Sequence, residues 1–186
     1  LQMRASSPIR SPSPMFWKKI IKELVNENYK ILIMDSNPYS DAIDKFIKTL
    51  DEDEQKNVFN FAKFSTSLDY SIAMTSLSKL GVGTDSALIH ICESLGKKSF
   101  GIYGPFPAEI RVSLYKNCDF IDSKMECGPC FIHGHMPCPN SFSPNGYSSC
   151  YESLDVGEII RKINDLLEKH KHYILTNMTT VDSDVE

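Results

Sequence analysis

Short apolar runs and amphipathic stretches take turns along this chain, and each predicts an element. Residues 15–28 (MFWKKIIKELVNEN) place Phe16, Ile20 and Leu24, flanked by Trp17 and Ile21, on one helical face. KILIMD, 30–35, reads as a short strand, and SDAIDKFIKTL, 40–50, as a helix with Ser40 or Asp41 near its N-cap. DEDEQ, 51–55, reads as a solvated acidic turn. VFNFA, 58–62, is a third strand if LQM at the start is counted as the first. Residues 67–79 predict a helix with Leu68, Ile72 and Leu77 inward. LGVGT, 80–84, predicts a strand, 86–95 a helix, KKSFGIY, 97–103, a strand and CDFID, 118–122, the last strand. The clearest helix is 154–174, with a stripe of Val156, Ile159, Ile160, Ile163, Leu166 and Leu167.

Strands and helices in alternation predict an α/β fold: a Rossmann-like open parallel sheet with helices on both faces. Residues 1–174 would form this domain and 175–186 a polar tail, frayed from about Thr176. Two stretches, 104–117 and 123–153, break the rhythm. A loop of about 30 residues inside a compact domain is usually functional, cross-linked or disordered. The chain has 41% hydrophobic and 24% charged residues and a net charge of −4. That balance argues against a general nucleic-acid binder, which needs a basic surface. No apolar run approaches the roughly 20 residues of a membrane helix, and no secretory leader is visible. The polar start at Leu1 suggests a piece of a longer protein. Asn177-Met178-Thr179 matches the N-glycosylation pattern, a three-residue match that chance supplies easily.

Thr84-Asp85-Ser86 falls where a strand becomes a helix. In open α/β sheets ligands bind outside the carboxyl ends of strands. The first amides of a helix are unpaired and attract anions, phosphate above all. Thr84 and Ser86 offer hydroxyls, and His90 lies one turn beyond Ser86 on the same face. The plainer alternative is that Asp85 or Ser86 caps the helix and that His90 is a hydrogen-bonded core histidine. Gly81-Val-Gly83 fails the G-x-G-x-x-G pattern, because position 86 is Ser. Its glycines read as close packing inside a strand. Gly104-Pro105-Phe106, at the next strand end, reads either as a loop lining the same site or as an ordinary turn. Arg111 reads either as a charge contributed to that site or as an exposed surface arginine.

Six cysteines are many for this length. Cys92 and Cys118 fall in a helix and a strand and read as small buried hydrophobes. Cys127, Cys130, Cys138 and Cys150 lie in a loop rich in Gly and Pro (Gly128, Pro129, Gly134, Pro137, Pro139, Pro144, Gly146) that cannot build a core. A structural four-thiolate zinc site, with His133 and His135 as spare ligands, is one reading. Disulfides and free thiols are the others.

GTDSALIHICESLGKKSFGIYGPFPAEIR, 83–111, resembles the donor-site segment of the ADP-heptose:lipopolysaccharide heptosyltransferase family. RASSPIRSPSPMFWKKII resembles the loop and first helix of that family's C-terminal domain. CGPC…PC…SCYESLDVGEII resembles its late cysteine-containing stretch and last helix. The resemblance covers about residues 1–170. It implies one half of a GT-B glycosyltransferase, the half that holds a nucleoside-diphosphate sugar, an ADP-sugar in this family. Asp85 and Ser86 would hold the diphosphate and His90 would sit near the sugar. Arg10 would reach the phosphates, with Ser6 and Ser7 in the same loop, and Asp41 would contact the ribose. No catalytic metal is implied. Ala87 stands where the family has Gly, and its methyl would crowd a diphosphate. The acceptor site and general base belong to an N-terminal domain outside this chain, so the chain alone is expected to bind donor without turnover. The acceptor would be lipopolysaccharide or another bacterial surface glycan, and the enzyme cytoplasmic, peripheral at the inner membrane. The alternative is a non-catalytic, zinc-stapled module that binds a nucleotide or a protein.

Overall fold

A computed structural model of the chain describes residues 1–132, 134, 136–141 and 145–179, excepting the side chains of 169–179. Its strands are β1 (Ile31–Ile33), β2 (Val58–Asn60), β3 (Gly81–Gly83), β4 (Ser99–Tyr103) and β5 (Cys118–Asp122). β1 pairs with β2, and β4 pairs with both β3 and β5, all in parallel. The start of the chain joins these two groups. The Leu1 amine donates to Leu32 O (2.7 Å), Met34 N to Leu1 O (2.8 Å) and Gln2 N to Val82 O (2.9 Å). The spatial order is therefore β2, β1, residues 1–2, β3, β4, β5. The predicted first strand is present, reduced to one parallel bridge between Gln2 and Gly83. Connections run outward in opposite directions from residues 1–3 and from β3. The gap between their carboxyl ends is the switch point of a doubly wound sheet, where ligands bind.

Helices cover both faces. α1 (Pro14–Asn26) starts where it does because Ser13 Oγ accepts from Phe16 N (3.1 Å) and Pro14 takes the first helical position. It buries Phe16, Trp17, Ile20, Ile21 and Leu24. The Trp17 indole also donates to Met3 O (2.8 Å), tying the helix to the central segment. α8 (Val156–Thr179) lies against α1 and β5. Its Ile159, Ile160 and Ile163 join Phe100, Ile102 and Ile121 in the main core. α4 (Leu68–Leu77) and α5 (Ala87–Ser94) pack together, with Leu88 and Cys92 of α5 in a smaller cluster beside Met34. The parallel sheet with helices on both faces is the fold that the alternation predicts.

Three expectations need correction. Residues 51–55 are not a solvated turn: α3 (Glu52–Asn57) occupies them. Glu54 is buried and its carboxylate accepts from Asp51 N (3.0 Å), fixing the start of the helix. In α4, Leu68 and Leu77 are exposed at 61% and 78%, and the residue buried there is Thr75. Thr75 Oγ1 bonds Ser71 O (2.7 Å), which lets a hydroxyl sit inward without loss. The third correction is one of length: α8 continues to Thr179, five residues beyond the predicted helix end at 174. The Asn177 side chain and residues 180–186 lie outside the described residues.

Gly81 faces Cys92 so closely that an added Cβ would overlap the thiol sulfur, and Cys92 is fully buried. Gly81→Ala is expected to cost about 1–3 kcal/mol by overpacking. Thermal denaturation reads this as a lowered Tm, and Cys92→Ala in the same chain should recover part of it. An unchanged Tm in the single variant would refute this account of Gly81.

Candidate functional site

Asp85 follows β3 at the switch point, 8% exposed. One of its oxygens takes two guanidinium groups: Arg10 Nη1 at 3.0 Å and Arg111 Nε at 3.3 Å. Arg10 ends a short 3-10 helix, Pro8–Arg10, in the loop after residues 1–3, and it is 6% exposed. It also donates to Ser6 Oγ, and its own carbonyl accepts from the Tyr151 hydroxyl (3.0 Å). Arg111 comes from α6 (Ala108–Val112), the helix after β4. Its guanidinium carbon lies 4.5 Å from the centre of the Phe106 ring, a cation–π contact. Its contact with Asp85 is a close ion pair without hydrogen-bond alignment.

One carboxylate cannot neutralise two guanidinium groups, so the cluster carries one excess positive charge. In the loop that carries Arg10 and in the residues flanking Asp85, Ser7 Oγ, Arg10 Nε, Thr84 Oγ1 and Ser86 Oγ are buried without a hydrogen-bond partner. An unsatisfied buried polar atom costs roughly 1–3 kcal/mol, so such a group is costly unless a ligand completes it. The positive excess and the open hydroxyls together suit an anion.

The capping alternative fails on geometry. The Ser86 side chain makes no capping bond to α5, and Asp85 is engaged by the two arginines. The amide of Leu88 is satisfied instead by Gln2 Oε1 (3.0 Å), from the central segment. Ala87, the first residue of α5, is exposed. His90 is not a core histidine. It is exposed, and its Nδ1 lies 2.6 Å from the Tyr115 hydroxyl.

The loop after β4 is more than an ordinary turn. Gly104 lies on Cys150 and Tyr151: an added Cβ would come within 2.5 Å of Cys150 Sγ and 2.9 Å of Tyr151 Cζ. Pro105 O accepts from Phe131 N (3.0 Å), and Phe131 meets Phe106 edge-on at 5.6 Å. Asp122, at the end of β5, caps α6 by accepting from Ala108 N (2.8 Å), and burial raises its carboxyl pKa. These contacts aim α6, and with it Arg111, at Asp85. The sequence offers Arg111 as a charge for this site or as a surface residue, and the structure pairs it with Asp85; the sequence gives no sign of Gln2, Tyr115 or Tyr151. Nothing in its neighbours signals that Arg111 meets Asp85, since 26 positions and a strand separate them. Asp41 sits exposed in the first turn of α2 (Ser40–Ile47), outside the cluster. Nearer the end of β1, Asp35 is half-buried, which raises its carboxyl pKa, and the Arg4 guanidinium stacks 3.6 Å above the Tyr39 ring.

The zinc reading is not met. Among the described residues no three His, Cys, Asp or Glu side chains are arranged to hold a metal ion, and the cysteines there are free. Cys127 and Cys130 are exposed, whereas Cys150 is buried on α7 (Ser149–Glu152). Its sulfur lies 2.7 Å from Ser148 Oγ, and burial pushes its thiol up to about 11, with Cys138, Cys130 and Cys127 near enough to add to the rise. Its packing is under Gly104. His133 and His135 lie outside the described residues. Cys92 is buried as expected, its thiol raised to about 11 by burial, and Cys118 is half-buried. An apolar cavity of about 500 Å³ lies at the opposite, amino edge of the sheet, lined by Leu1, Leu24, Ile31, Met74 and Leu80 among others. No member of the arginine cluster borders it.

Comparison with known proteins decides the lineage. The model of "Glycosyltransferase family 9 (heptosyltransferase)" matches residues 14–139. The chain belongs to this family. It is 26% identical over 151 residues to lipopolysaccharide heptosyltransferase 2 of Escherichia coli K12, covering 81% of this chain and 41% of that protein. The same enzyme of Salmonella typhimurium LT2 is 26% identical over 153 residues, 82% of this chain and 41% of that protein. The chain thus spans under half the length of these relatives. The fold matches the structure of E. coli ADP-heptose LPS heptosyltransferase II with a TM-score of 0.72 at 20% identity, over 91% of this chain and 46% of that one. A family 9 glycosyltransferase from Veillonella parvula matches with a TM-score of 0.65 at 12% identity, over 90% of this chain and 45% of that one. In the family 9 chain no helix among the described residues is long and apolar enough to cross a membrane.

The double pairing at Asp85 sets a prediction. Asp85→Ala strands two guanidinium groups and is expected to cost about 3 kcal/mol or more, the usual loss on breaking a buried pair. In a background with Arg10→Met and Arg111→Met the same change should cost nothing or stabilise, because it then removes a stranded carboxylate. Urea unfolding checks both, and a neutral Asp85→Ala alone would show that the pairing does not hold the site together.

Proposed function

We propose that this family 9 chain is the donor-binding half of a glycosyltransferase. The enzyme would transfer a heptose or similar sugar from a nucleoside-diphosphate sugar to lipopolysaccharide or another surface glycan. One observation carries the reading: two guanidinium groups on one buried carboxylate, with unpartnered hydroxyls on the residues that flank it and in the Arg10 loop, at the switch point of a doubly wound sheet. The relatives named as lipopolysaccharide heptosyltransferase 2, and the solved structure named for ADP-heptose, support an ADP-sugar as the donor.

The chemistry follows from charge. As the bond from the sugar to the diphosphate breaks, the leaving group gains negative charge. Fixed positive groups aimed at that position stabilise the transition state more than the ground state. In this reading Arg10 and Arg111 meet the diphosphate. Ser6, Ser7, Thr84 and Ser86 add hydroxyl donors, and Gly104 and Pro105 line the sugar side with His90. Asp85 acts behind the arginines: its own charge would repel a phosphate, so its role is to orient them. Asp41 is retained as the acid toward the ribose on the resemblance alone. The reading supplies no acceptor site or general base from this chain. Both would come from a partner domain, and a lipid-linked acceptor would bring the enzyme to the cytoplasmic face of a membrane.

Calorimetric titration with ADP, UDP, GDP and their sugar conjugates tests this. ADP or an ADP-sugar is expected to bind best. Arg10→Ala should weaken it about 10- to 100-fold, the value of a charge-assisted hydrogen bond, and Ser86→Ala by less. The chain alone is expected to show no sugar transfer. Equal affinity in wild type and Arg10→Ala would overturn the site, and measurable transfer by the chain would overturn the need for a partner domain.

A further inference from the structure

We propose that Tyr115 is a positioning residue for His90: its hydroxyl donates to Nδ1, places the imidazole proton on Nε2, and makes His90 a hydrogen-bond donor toward the donor sugar. The last step rests on the reading above; the rest does not.

His90 is exposed in the first turn of α5, four residues past the N-cap Ser86. An exposed imidazole ordinarily exchanges freely between rotamers and between its two neutral tautomers. Here Nδ1 lies 2.6 Å from the Tyr115 hydroxyl, and the two rings meet edge-on, 5.7 Å apart at 88°. A ring so held has one face of contact and one nitrogen committed.

Tyr115 is placed independently of His90. Its amide bonds Val112 O (2.9 Å), and its ring packs on a cluster of Ile89, Tyr103, Ala108 and Val112. The next two amides, Lys116 N and Asn117 N, each bond the Glu93 carboxylate at 3.0 Å. Glu93 belongs to α5 itself, three residues past His90. The loop is therefore clamped to the helix at its backbone, and the phenol is free to serve the imidazole. Burial, with Glu93 and Cys118 nearby, raises the phenol pKa, and a neutral phenol 2.6 Å from Nδ1 can donate to it. A phenol proton directed at Nδ1 requires a lone pair there. The neutral imidazole then carries its hydrogen on Nε2, the nitrogen turned away from Tyr115. Sugar hydroxyls and phosphate oxygens accept from such a group. A general base would need that nitrogen unprotonated.

Long-range proton–nitrogen NMR on the chain with labelled histidine reads the tautomer directly, and His90→Gln assigns the signal. Above the imidazole titration, the wild type is expected to show one tautomer, protonated on Nε2. Tyr115→Phe keeps the ring and should give a mixture, with the Lys116 and Asn117 amide signals unmoved. Protonation on Nδ1, or a Tyr115→Phe spectrum like the wild type, would overturn the proposal. ADP-sugar titration adds the functional half. Tyr115→Phe should weaken binding several-fold and add nothing in a His90→Gln background. Independent, additive losses would sink the coupling, while failure of the wild type to bind any nucleotide sugar would sink the donor-site reading and leave the tautomer result standing.

Discussion

The arrangement depends on a single carboxylate. Asp85 gathers one arginine from the loop after the central segment and another from the helix after β4. These belong to opposite halves of the sheet, so the ion pairs close the switch point from both sides. Burial makes the arrangement asymmetric in energy. The triad contributes little as attraction alone, but losing Asp85 leaves two guanidinium groups stranded together. The residual positive charge and the open hydroxyls of Ser7, Thr84 and Ser86 follow from the same geometry. The charges of the cluster are held in place by contacts within the chain itself, the condition under which fixed charges act most strongly.

Much of the fold was legible because it rests on periodicity. The stripe of α8 and the buried face of α1 follow directly from apolar spacing, as do the short parallel strands. The errors have physical reasons. Residues 51–55 look like a solvated turn because four of the five are acidic, yet the reach of Glu54 back to the Asp51 amide suffices for a short helix. Leu68 and Leu77 show that an apolar side chain on a helix does not prove an inward face, while Thr75 goes inward because its hydroxyl is satisfied locally.

The site was legible only in its local part. Thr84-Asp85-Ser86 stands out because a strand-to-helix junction has unpaired amides whatever else surrounds it. Gln2 did not stand out, and Arg111 stood out only as one of two readings, since their roles are set by tertiary approach and no spacing encodes it. The cysteines show the opposite hazard. Cys127-x2-Cys130 has metal-ligand spacing, but spacing says nothing about where a later member points. Cys150 sits on α7 and packs inward against the backbone at Gly104.

The packing at Gly104 has a bearing on how such a chain can diverge. Tyr151 lies against this glycine while its hydroxyl holds the carbonyl of Arg10. A side chain at 104 would need a smaller residue at 151, and a smaller residue there would release the arginine loop. Positions 104 and 151 thus form one unit of inheritance, and through the carbonyl of residue 10 that unit sets where the arginine loop lies. Drift at either is constrained by the other, though they stand far apart along the chain.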